Sequence, residues 1–241
     1  MKMNKKKVLV VALAVSLVAI LSLGSLAWFN AKDEITNKFQ VATSDSGQPD
    51  FSIDVKENKT DSTGENFVDE DNDGAYDLTD TGNTYQWVVP GDEIKKNPMI
   101  TNTGDYDQWV RVNILISRSF ADQVARTQDK TVDNLDFTKL FTNFNSAAFE
   151  NAREFDDTLF ADYYMYSYYV AAPVAPDATV LAFDAVNIPT TFTQAEMTYG
   201  GFQIIVKADA VQADNTGNSA SAAFTAVQWE AGTAYDLDIK E

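Results

Sequence analysis

The sequence predicts an all-β-dominated fold, a jelly-roll β-sandwich with short helices and loops inserted between strands. Three observations predict it. Apolar and polar residues alternate over several short stretches, which is the period of a strand. Turn residues (Gly, Asn, Asp, Pro) separate those stretches. Helical periodicity is confined to short segments. With 241 residues, 45% of them hydrophobic and including 15 Phe, 10 Tyr and 4 Trp, the chain has enough apolar surface for the core of one domain.

The elements follow in order. MKMNKKK is a positive leader, and Val8 to Ala27 is a long uncharged apolar run. Ser25 and Ala27 place small residues at the positions a signal peptidase reads, so residues 1–27 are expected to be a signal peptide cut before Trp28. The alternative is an uncleaved membrane anchor, because such a run is long enough to span a bilayer. Trp28 to Val41 places Phe29, Ala31, Ile35, Phe39 and Val41 on one extended face, interrupted by Asp33. Phe51, Ile53 and Val55 mark a strand at 51–57. The polar stretch 57–84 is expected to be an acidic surface insertion, with Phe67-Val68 its one apolar pair of note.

A short strand at 85–89 is expected before the turn Pro90-Gly91-Asp92, and a second turn at Asn102-Thr103-Gly104. Gln108 to Ser117 has Val110, Val112, Ile114 and Ile116 on one face, the pattern of a half-buried strand. Trp109 and Arg111 on its other face are candidates for a subunit contact or for packing under an insertion. Residues 120–160 are expected to be that insertion, of helices and loops, with Phe137, Leu140, Phe141 and Phe144 at helical spacing. Strands resume at 163–170, 179–183 and 202–211. The Tyr-rich 163–169 is expected to be a strand with both faces partly covered rather than an aromatic binding platform. Residues 219–228 suit a helix, and 234–239 a final strand. The domain proper is expected to span 43–241.

Charge and composition exclude several functions. The chain has 18 Lys and Arg against 36 Asp and Glu, a net charge of −18; removing Lys2, Lys5, Lys6 and Lys7 with the leader leaves 14 against 36, or −22. That field repels phosphate backbones and attracts cations, so nucleic acid is not an expected partner. There is no His and no Cys. Ser-His-Asp and Cys-His nucleophiles and His-based zinc sites therefore cannot be built. A two-carboxylate glycosidase needs neither residue.

Asp69-Glu70-Asp71-Asn72-Asp73-Gly74 matches the core of a calcium loop, D-x-D-x-D-G. Asp69, Asp71 and Asp73 supply oxygens at positions one, three and five, and Gly74 permits the sharp turn. The Ala75 carbonyl falls at position seven, Asp77 at nine and Asp80 at twelve. Asp80 stands where a longer Glu gives bidentate binding, and no helical pattern flanks the loop. The competing reading is a solvated acidic loop.

Three segments together resemble one family. AWFNAKDEITNKF, Ala27 to Phe39, is similar to its export and processing region. VVPGDEIKKNPMITNTGDYDQWVRVNILI, Val88 to Ile116, resembles its turn–strand–turn–strand core, and FTAVQWEAG, Phe224 to Gly232, its C-terminal signature. The family is the TasA/camelysin family of secreted biofilm-matrix fibre proteins of Gram-positive bacteria, processed by a dedicated signal peptidase. The resemblance implies a jelly-roll subunit that assembles with itself, and with an accessory matrix protein, in the extracellular matrix, touching membrane only before cleavage. It implies that the mature N-terminal segment, here 28–42, donates a strand to the next subunit, with Phe29, Ile35 and Phe39 as anchors. The protease label of camelysin-like relatives is not carried over, since this chain has no His. The alternative function is a monomeric surface or carbohydrate-binding jelly roll held by an uncleaved N-terminal helix; a camelysin-like protease or a glycosidase ranks below both.

Overall fold

The computed structural model describes residues 30–33, 51–144, 148–192, 201–228 and 230–232. The leader, the cleavage residues Ser25, Ala27 and Trp28, the anchors Phe29, Ile35 and Phe39, Trp229, and the expected strand at 234–239 lie outside the described residues.

Strands dominate, and among the described residues every pairing is antiparallel. β1 (Asn30–Asp33), β12 (Ile204–Gln212), β6 (Gln108–Ser117), β9 (Tyr163–Val170) and β8 (Phe149–Asp156) form a five-stranded sheet in the order β1-β12-β6-β9-β8. A second sheet runs β10 (Thr179–Leu181), β5 (Met99–Asn102), β2 (Ile53–Asn58), β3 (Leu78–Thr79). A small third sheet runs β4 (Glu93–Lys95), β11 (Ala185–Asn187), β7 (Phe141–Thr142).

The main core lies on one face of the five-stranded sheet. Val110, Val112, Ile114 and Ile116 of β6 and Val206, Ala208 and Ala210 of β12 share a core with Ile53 and Ile100 of the second sheet and with Phe51 just before β2. Their even spacing along β6 and β12 is the alternation the sequence displays. The opposite face is also covered. The helix α3 (Ala220–Ala226), capped by the Ser219 side chain accepting from the Ala222 N–H at 3.2 Å, lays Ala220, Ala223 and Phe224 on Trp109, Tyr169 and Val211. Further along that face, Ala231 packs with Leu115, Tyr163 and Met165. Gly232 fits there because a Cβ would stand 2.5 Å from Leu159 Cδ2 and 3.1 Å from Met165 Sδ. Strand β6 is thus buried on both faces, not one. The helix expected at 219–228 and the covered Tyr-rich strand are present as expected.

Four sequence expectations are corrected. Residues 120–160 are not an insertion. The helix α1 (Arg118–Gln128) buries Phe120, Ala121, Val124 and Ala125 in the main core, and β7 and β8 are sheet members. The helical spacing of Phe137 to Phe144 holds only for α2 (Phe137–Leu140); Phe141 already opens β7, and its ring stacks on Phe183 at 4.0 Å. Residues 85–89 are not a strand, since Trp87 has φ 63° and breaks the extended backbone. Trp109 and Arg111 lie under α3, neither in a subunit contact nor beneath residues 120–160. The two turns are as read. Asp92 N–H donates to Val89 O at 3.2 Å around Pro90 and Gly91 (φ 99°), a turn that requires Gly at its third position. The Asn102 side chain accepts from Gly104 N–H at 3.0 Å.

Candidate functional site

The acidic loop is a built turn on the rim of the second sheet. Its base is closed by main chain: Lys59 N–H donates to Asp77 O at 2.7 Å and Asp77 N–H to Val68 O at 2.9 Å. A part-buried network anchors it, with Lys96 Nζ 2.7 Å from Glu57 and the Asn83 side chain donating to Glu57 at 3.0 Å and to Asn58 O at 2.9 Å. At the tip, the Asp69 carboxylate accepts from Asp73 N–H (3.2 Å) and Gly74 N–H (3.0 Å), and Asp73 accepts from Ala75 N–H (2.8 Å). Asn72 (φ 59°) and Gly74 (φ 92°) are both left-handed, which folds the three aspartates inward.

One carboxylate oxygen from each of Asp69, Asp71 and Asp73 lies within 4.8 Å of the other two. The structure brings these three carboxylates together without those of Asp77 and Asp80. Asp77 accepts from Glu70 N–H at 2.7 Å, which braces the loop, and neither its carboxylate nor that of Asp80 joins the cluster. The three oxygens are hard donors suited to calcium or magnesium, and they stand at the surface.

The second candidate site is the edge of the five-stranded sheet. Strand β12 pairs with β6 over its whole length. On its other side it pairs with β1 in the register Asn30↔Val211, Ala31↔Ala210, Lys32↔Asp209, Asp33↔Ala208. Residues 30–33 of the N-terminal segment therefore pair with β12 of their own chain. Of the expected donor residues only Ala31 falls within the described residues.

Sequence reading missed the polar centre of the α3-covered face. Asp209 Oδ2 accepts from Arg111 Nε at 3.0 Å, Arg111 Nη2 at 2.6 Å and Asn113 Nδ2 at 3.1 Å. Asn113 Oδ1 accepts from Ser167 Oγ at 2.6 Å. The Arg111 guanidinium sits 4.3 Å over the Phe224 ring. Lys207, also buried, is the cross-strand partner of Asn113. The polar residues at 111, 113, 207 and 209 read as solvent-facing members of alternating strands, and only the presence of α3 reveals their burial.

Burial of the Tyr169 ring, with its hydroxyl donating to Glu154 at 2.7 Å, pushes its pKa up to about 12. Comparison with known protein families, with curated proteins and with solved structures gives no match to this chain.

Proposed function

We propose that the chain is a secreted, non-enzymatic structural protein whose copies assemble into extracellular matrix fibres by head-to-tail strand donation. The observation that carries this reading is the occupant of the β12 edge. It is the segment that begins three residues after the expected cleavage at Ala27, and it pairs over four residues with a β12 of nine. A segment tethered to the membrane before cleavage and freed after it can leave that edge and take the same place on a neighbour.

The register supports the anchors. A donor that keeps it continues from Asp33 opposite Ala208 to Ile35 opposite Val206. Odd-numbered donor residues then stand beside Val206, Ala208 and Ala210, the core-facing side of β12. Phe29, Ala31, Ile35 and Phe39 share that parity. Donation from one copy to the next is a heterologous contact and propagates as a filament. The resemblance of the export region, the turn–strand core and the C-terminal signature to the TasA/camelysin family supports the same reading, with an accessory matrix protein as a further partner. Calcium held by Asp69, Asp71 and Asp73 is the cation the acidic loop would take.

Electron microscopy of the secreted mature protein, with and without residues 28–39, tests the proposal. Fibres from the intact protein and none from the deletion are expected. Fibres that persist after the deletion reject strand donation, and no fibres from either favour the monomeric surface protein.

A further inference from the structure

The strongest feature left unused by this function is the buried polar row across β12, β6 and β9. Lys207, Asn113 and Ser167 are successive register partners on three neighbouring strands. All three are buried, at 4%, 0% and 1% exposure. Directly opposed residues on antiparallel strands point to the same face, with Cβ atoms about 4.5–5.5 Å apart. A lysine stem is long enough to cross that gap, which puts the Asn113 side-chain amide within its reach.

The amide is held as a reacting group is held. Ser167 Oγ donates to its carbonyl oxygen at 2.6 Å, which draws electron density from Cγ and stabilises negative charge developing on that oxygen. The Asp209 carboxylate accepts from its nitrogen at 3.1 Å, so an acid–base group stands on the atom that must leave. Arg111 fixes that carboxylate through two donors, at 3.0 and 2.6 Å. The Trp109, Tyr169 and Phe224 cluster closes that end of the face against water. A nucleophile, a polarised carbonyl and a carboxylate at the leaving group are the parts that acyl transfer needs.

We propose that Lys207 and Asn113 join in an intramolecular isopeptide bond between β12 and β6. The Lys207 ammonium gives a proton to the Asp209 carboxylate, which already faces the Asn113 amide. The neutral Nζ then attacks Asn113 Cγ, and Ser167 holds the oxyanion. Collapse of the tetrahedral intermediate forms the Nζ–Cγ amide and breaks the Cγ–Nδ2 bond. Nδ2 departs as ammonia, taking its added proton from Asp209, and the second proton of the attacking amine leaves with it as ammonium. No oxidant, reductant or cofactor enters, and the product is one ammonia lighter. The bond ties β12, which carries β1, covalently to the central strand of the sheet. This chemistry does not depend on fibre formation.

Peptide mass spectrometry of the full chain, denatured and digested with trypsin, tests it. A branched peptide joining β6 and β12 through Lys207 and Asn113 is expected, one ammonia below the sum of its linear parts and uncut after residue 207. Lys207→Arg gives linear peptides only. Wild-type protein that yields unmodified linear peptides from both strands overturns the proposal. So does ammonia loss from Asn113 without a branch, or a branch that persists in Lys207→Arg.

Discussion

At the scale of single residues, charge placement decides most. Arg111 and Asp209 are buried together, and Asp209 accepts three hydrogen bonds through one oxygen. Removing one partner strands the other without solvent, which costs about 3–5 kcal/mol. Arg111→Met should lose that much by urea unfolding; a loss below about 1 kcal/mol would show that the pair contributes little. Asp61 shows the opposite case, an exposed carboxylate with a job. Hydrogen bonds from Asn66 and Thr63 lower its pKa from 3.8 to about 2. Because the folded value lies below the unfolded one, its contribution to the 61–66 turn is present above pH 3.8 and lost as pH falls through about 2. The Glu65 amide, which donates to Asp61 at 3.1 Å, should lose its exchange protection across that window. Protection that is flat with pH would contradict it. The aspartates at 69, 71 and 73 were legible in the sequence because glycine after a regular acidic spacing is a local signal. The partner of Arg111 was not, since 98 residues separate it from Asp209.

At the scale of elements, the strands with clean alternation were legible and the irregular ones were not. β6 and β12 alternate and β9 is a run of β-favouring aromatics, and the structure places them at 108–117, 204–212 and 163–170. β8 carries Glu150, Arg153, Glu154 and Asp156, and its pairing with β9 shifts register between Phe149 and Arg153. A charged, bulged strand at a sheet edge resists further pairing but loses the period that reveals it. The short strands β4, β7 and β11 offer too few residues for any period. Helix α3 rests on Phe224, which is buried against Tyr169 and Arg111. Phe224→Ala should cost about 3–5 kcal/mol, read by thermal or urea unfolding; a near-neutral effect would mean that α3 is not a structural cover. The acidic loop is an element too. Calcium should raise the unfolding temperature of the wild type and not of Asp71→Ala. Equal behaviour of the two proteins would remove the loop as a cation site.

At the scale of the whole molecule, the five-stranded sheet is covered on one face by the main core and on the other by α3. Its sides are committed to the core and to α3, so the proposed strand donation uses a strand edge. Six tyrosines, Tyr85 and the β9 residues Tyr163, Tyr164, Tyr166, Tyr168 and Tyr169, have raised pKa values, each chiefly through burial. Folded values above the unfolded value of 10.0 mean full stability below that pH and loss as pH rises through the folded values. Alkaline unfolding should therefore coincide with tyrosinate absorbance; ionisation of these rings in the folded state would contradict it. The pairing of β1 with β12 was not legible, because alternation gives a strand's face and not the strand it joins. The chain has no cysteine, so introduced pairs report without background. Asn30 and Val211 are register partners across β1 and β12. The most direct measurement mixes mature Asn30→Cys protein with mature Val211→Cys protein under assembly conditions, oxidises the mixture and resolves it on a non-reducing gel. Strand donation predicts a disulfide-linked dimer containing one copy of each variant. Monomers from the mixture, with disulfide formation only inside a single chain carrying both cysteines, would contradict it.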